Sequence, residues 1–222
     1  MRFNKKMLVV IWTMALPGFV SAADMTRLND VVIKSLVPKL IDAAEKVADA
    51  QVRVSGDGER AVGIEYFGSA GLILIPQKGL SSTWPTDVTS ERGTGLAHLI
   101  MSAGLTPIVD GKPVDQTSLR TLTLDDEFKS KHTYVLLAVR KVNDNDWRLY
   151  GYGSGASPVL DISLAESRGP GQLPIAIEGK DIQGFKGTIV ITLFDKLQAK
   201  YQNTYSKKNR YVAFEREGGT FD

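Results

Sequence analysis

Tyr134-Val135-Leu136-Leu137-Ala138-Val139-Arg140-Lys141-Val142 is followed by Asn143-Asp144-Asn145-Asp146, and then by Trp147-Arg148-Leu149-Tyr150-Gly151-Tyr152. The first run is rich in β-branched and aromatic residues, which suit a pleated and largely buried strand. Asn and Asp tolerate the dihedral angles of tight turns. Two apolar runs joined by such a turn read as a β-hairpin. After a Gly/Ser break, Pro158-Val159-Leu160-Asp161-Ile162-Ser163-Leu164 adds a third strand. This stretch is expected to form the centre of a sheet on which the rest of the chain packs.

Outward from it, residues 26–49 carry Leu28, Val32, Leu36, Leu40, Ala43 and Val47 at spacings of three or four, the signature of an amphipathic helix. Pro38 removes one ladder bond and restricts Val37, so a kink or a division into two short helices is expected there. Gln51 to Val54, Ala61 to Phe67 and Ala70 to Ile75 read as strands. Leu72-Ile73-Leu74-Ile75 is continuously apolar, so both of its faces should be covered. Residues 77–92 read as a long loop holding Trp84, and long loops are often functional. Gly93 to Ala103 is expected to be a short helix stopped by Gly104, and residues 123–131 another, capped by Thr123. Leu173 to Ile177 and Thr188 to Phe194 read as strands, and Tyr211 to Phe214 as a last one. Leu197 to Tyr205 fits strand or helix. The expected fold is therefore α+β: one mixed, mainly antiparallel sheet with an N-terminal amphipathic helix and two short helices.

The chain opens Met1-Arg2-Phe3-Asn4-Lys5-Lys6, continues with an apolar run from Met7 to Leu16, and reaches Val20-Ser21-Ala22. A basic start, an apolar core and small residues make a secretory signal peptide, expected over residues 1–22 with one domain over 23–222. The run is too short to span a bilayer, and no Cys is present to carry a lipid anchor. The expected address is periplasmic or secreted. Of the 27 basic residues, Arg2, Lys5 and Lys6 belong to the signal, which leaves 24 against 25 acidic residues, a net of −1. A near-neutral chain has no global pull toward nucleic acid. Without cysteines the exported domain must rely on its core, and a chain of this length can bury one.

Catalytic chemistry is sparse. The two histidines, His98 and His132, have no second histidine at i+3 or i+4, so no metal site is expected. Gly153-Ser154-Gly155 lacks the spacing of a nucleophile elbow. Gly151-Tyr152-Gly153-Ser154-Gly155 has no third glycine or helix of a dinucleotide site, so no cofactor is expected; it reads as a sheet corner that could rim a site. Asn143 to Asp146 lacks the Gly and Glu of a calcium loop. Asp125, Asp126 and Glu127 are consecutive and do not converge on one point.

The strongest local charge feature is Lys196 to Arg216, with Lys200, Lys207, Lys208 and Arg210 set among Tyr201, Tyr205 and Tyr211. Basic residues interleaved with aromatics suit anionic surfaces. The expected partner-binding residues are these seven together with Trp84, Tyr152 and Ser154. The leading expectation is a non-catalytic bacterial envelope protein that binds an envelope component or another protein, with the oligomeric state left open and a membrane surface among the candidate partners. A membrane-active toxin using helix 26–49 is the first alternative. A secreted hydrolase using His98 or His132 with a carboxylate is the second.

Overall fold

The expected hairpin is present and central. In a computed structural model, which describes residues 25–47, 49–66, 70–81, 88, 90–124, 130–167 and 173–206, Lys131–Asn143 and Asp146–Tyr152 pair as adjacent antiparallel strands. The Asn143 side chain accepts the Asn145 backbone N–H at 2.9 Å, which fixes the turn.

In chain order the elements are β1 (Thr26–Arg27), α1 (Asp30–Glu45), β2 (Val62–Tyr66), β3 (Ala70–Pro76), β4 (Thr94–Ser102), β5 (Leu105–Val109), β6 (Lys112–Pro113) and β7 (Arg120–Thr123). They continue with β8 (Lys131–Asn143), β9 (Asp146–Tyr152), β10 (Pro158–Ser163), β11 (Ala165–Glu166), β12 (Ile175–Gln183), β13 (Lys186–Leu193) and β14 (Leu197–Tyr205). Eight strands form a larger sheet in the order β1-β2-β3-β4-β8-β9-β10, with β7 also paired to β8. Six form a smaller one in the order β12-β13-β14-β5-β6, with β11 paired to β14. The strand pairs are antiparallel.

The α+β expectation of one mixed sheet with three helices is therefore corrected. The protein is mostly β, with two antiparallel sheets and one α-helix among the described residues. The physical reason lies in β4. Leu96 to Met101 are all buried, because the inter-sheet core covers one face of this strand (Ala97, Leu99, Met101) and the helix-side layer the other (Ile100). A segment buried on both faces shows no periodicity, so its Leu, Ala and Met composition mimics a helix. Gly104, expected as a helix stop, instead has φ +92° in the turn between β4 and β5, where the chain leaves the larger sheet for the smaller one. Thr123, expected as a helix cap, closes β7 opposite Lys131. Residues 125–129 of that expected helix lie outside the described residues, as do the signal peptide expected over 1–22 and the strand expected at 211–214. Gln51 to Val54 are not a strand, and Leu197 to Tyr205 are.

Three layers result. Leu72 and Leu74 of β3, and Val135, Leu137 and Val139 of β8, join Ile189, Ile191 and Ala199 in a core between the sheets. Their neighbours Ile73, Ile75, Tyr134, Leu136 and Ala138 face the other way and meet α1. Leu72, Ile73, Leu74 and Ile75 are all fully buried, as the continuous apolar run implied. Each such side chain contributes about 1.5–3 kcal/mol of burial free energy.

The helix begins where Asn29 caps it, its side chain accepting the Val31 N–H at 2.8 Å. Ile33, Val37, Leu40 and Ala44 make its buried stripe. Pro38 does not divide it. It sits on the exposed face, where the Lys34 carbonyl that loses a partner can be hydrated.

Candidate functional site

The pleat of β14 separates what the sequence interleaves. Successive side chains of a strand point to opposite faces. Tyr201 and Tyr205 therefore turn inward and are buried in the inter-sheet core, while Lys200 is exposed on the outer face. Burial pushes the Tyr201 hydroxyl pKa up, so it stays neutral. Lys207, Lys208, Arg210, Tyr211 and Trp84 lie outside the described residues.

Tyr152 and Ser154 belong to a corner that the chain closes on itself. Tyr152 is buried, and its hydroxyl donates to the Arg92 carbonyl at 3.0 Å. The Ser154 N–H donates to the Ser118 carbonyl at 2.8 Å, and its hydroxyl lies 3.1 Å from the carbonyls of Thr117 and Ser118. Buried Arg120 donates from Nε to the Gly153 carbonyl at 2.7 Å. A Cβ on Gly153 would overlap the Ser118 carbonyl, so the close backbone approach at this glycine is to the protein itself. The structure thus brings Tyr152 and Ser154 together with the Ser118 turn, in a different place from the Lys200 face.

The histidines do not assemble either. His98 on β4 stands opposite Leu136 of β8, while His132 of β8 stands opposite Ser102. Four residues of strand separate them, about 13 Å. Both are buried. His98 Nε2 lies 3.1 Å from the Val54 carbonyl, and its ring centroid is 6.2 Å from that of Tyr134. Among the described residues no Asp or Glu is buried, and no three His, Asp or Glu side chains converge as a metal site.

Burial lowers the His98 pKa, only partly opposed by its hydrogen bond to Val54. The folded protein holds the ring neutral where the unfolded chain, titrating near 6.5, takes up a proton. Stability is fully present above pH 6.5 and falls as the pH drops through 6.5 toward the lower folded value. Urea titrations from pH 7.5 to 5.5 are expected to show this loss, and His98→Asn to flatten it.

The outer face of β12-β13-β14 gathers several charged residues by register. Lys180 stands opposite Thr188, Glu178 opposite Val190, and Val190 opposite Lys200. Lys186 faces Thr204 on the same side. Lys180, Lys186 and Lys200 are exposed, and the acidic counterpart on this face is Glu178, 3.0 Å from Lys180. Among the described residues no acid pairs with Lys186 or Lys200. The aliphatic stems of such side chains can cover apolar surface, and Val190 lies buried between Glu178 and Lys200. Lys180 and Lys186 were not singled out from sequence. Part of the signal was there: Ile175 to Lys180 alternates, with Ile175 and Ile177 inward and Glu178 and Lys180 outward.

Set against known protein families, curated proteins and solved structures, the chain shows no significant match.

Proposed function

We propose that the protein is an exported, non-catalytic component of a bacterial envelope that docks onto an anionic envelope constituent, a phosphate- or carboxylate-bearing lipid or glycan. The observation that carries this reading is the outer face of β12-β13-β14, where three exposed lysines stand against one glutamate in a chain whose expected mature form has a net charge of −1. The excess is local, so it marks a face and not the composition as a whole. Lys207, Lys208 and Arg210 follow β14 directly in sequence.

Export rests on the basic start, apolar run and Ala22 cleavage site. No helix among the described residues is long and apolar enough to cross a membrane. The separation of His98 from His132 along the β4–β8 pair supports the non-catalytic reading. The test is association of the purified mature protein with vesicles carrying lipopolysaccharide or anionic phospholipid. Replacing Lys180, Lys186 and Lys200 together with Glu is expected to weaken it by at least about tenfold, since each basic residue near an anionic surface contributes appreciably. Unchanged association would remove this face from the proposal.

A further inference from the structure

Two sheet edges meet at a second feature, and the chain's own N-terminal arm occupies part of it. β1 pairs with the outer edge of β2, Thr26 opposite Glu65 and Arg27 opposite Ile64, and the Leu28 N–H donates to the Gly63 carbonyl at 2.9 Å. β12 is the edge strand of the smaller sheet. Between these edges lies a cavity of about 380 Å³ with Val62, Ile64, Leu173 and Ile177 in its wall and Glu178 and Lys180 among its charged lining residues. That volume is within the range of ligand pockets, about 300–1,000 Å³.

Met25 fills the inner end. Its side chain lies over Gly179 and Gly187, and a Cβ on either glycine would overlap it. Gly179 stands opposite Ile189 and Gly187 opposite Asn203, so the two glycines are diagonal neighbours on the inward face of the smaller sheet. The slot exists because those two side chains are missing.

Leu28 anchors the arm in the helix-side core, and the residues before it are held lightly. Both residues of β1 are exposed, and the Arg27–Asp30 ion pair is 3.5 Å long with both side chains 70% exposed, a kind of contact that adds little. Met25 itself is only partly buried.

We infer that this cleft is a docking site for an extended segment of a partner polypeptide, and that residues 25–27 are a built-in occupant which such a segment displaces. The arm defines what fits: an unbranched apolar side chain in the glycine slot, followed by backbone that pairs with the edge of β2. Strand addition of this kind draws affinity from main-chain hydrogen bonds and selectivity from the side-chain pocket. The cleft borders the anionic docking face, since Glu178 and Lys180 line it, but the glycine slot and the edge of β2 on which it depends are not part of that face.

The probe is a fluorescein-labelled peptide Asp-Met-Thr-Arg-Leu-Asn, the sequence of residues 24–29, titrated by anisotropy into the full mature protein. Met25→Gly is expected to bind it at least about tenfold more tightly than the wild type, because the competing plug is gone. Gly179→Leu, which fills the slot on a half-buried edge strand, is expected to abolish binding with the far-UV circular dichroism retained. Equal affinity for wild type and Met25→Gly, no binding to Met25→Gly, or undiminished binding to folded Gly179→Leu would each overturn the inference. A concentration-dependent dimer of the wild type that the peptide dissolves would assign the cleft to a second copy of the chain and overturn the partner assignment.

Discussion

Leu136→Ala and Leu137→Ala are each expected to cost about 2–5 kcal/mol of unfolding free energy, although the two side chains point in opposite directions. Leu137 is fully buried between the sheets and Leu136 is 2% exposed on the helix side. Removing either leaves a cavity in a layer that cannot collapse freely, because β4 holds one edge of β8 and β7 and β9 hold the other. A strand with one solvent face would behave differently: one of two consecutive substitutions would fall within about 0.5 kcal/mol of wild type. Urea denaturation midpoints for the two variants decide between these cases. If one variant is neutral, β8 is not the middle of a three-layer structure.

The second large effect is expected at Leu40. Its side chain is fully buried at the centre of the α1 stripe, against the face that carries Ile73, Ile75 and Tyr134. Leu40→Ala is expected to lose about 2–5 kcal/mol with the denaturant slope unchanged. The result bears on function. A helix that inserted into a membrane would have to leave this packing, and Ile33, Val37, Leu40 and Ala44 would give up their contacts together. A loss below about 0.5 kcal/mol would mean that α1 rests only loosely on the sheet, and the insertion reading of residues 26–49 would gain ground.

How far the chain could be read from its letters depends on the range of the physics involved. The β8–β9 hairpin was legible because its signals are local: an Asx-rich turn between two β-branched runs, with Asn143 bonding to Asn145. The double burial of β3 was legible because four consecutive apolar residues leave no face for water. The strand nature of β4 was not, since a segment covered on both sides loses the alternation that distinguishes strand from helix. Nor was the division into two sheets. Nothing near Gly104 states that Leu105 will pair with Tyr205, a hundred residues on, instead of continuing the first sheet.

The same distinction runs through the site. Lys200, Tyr201 and Tyr205 looked like one basic, aromatic surface. Read as a strand, Leu197 to Tyr205 alternates in burial throughout, which sends both tyrosines inward and Lys200 outward. The outer face gains Lys180 and Lys186 only through register with β12 and β13, which composition does not encode. From sequence, Ser154 and Tyr152 read as a rim. Their partners Ser118 and Arg92 lie far away in sequence, and the loop is closed by its own chain.

The proposed docking depends on the local positive face of β12-β13-β14. The most direct measurement is the association isotherm of the mature protein with lipopolysaccharide-bearing vesicles at low and at physiological ionic strength, beside neutral vesicles. Tight association at low salt that weakens steeply as salt rises, with none to neutral vesicles and little for the Lys180, Lys186 and Lys200 to Glu variant, is the predicted result. Association that ignores salt, or that survives reversal of all three lysines, would contradict it.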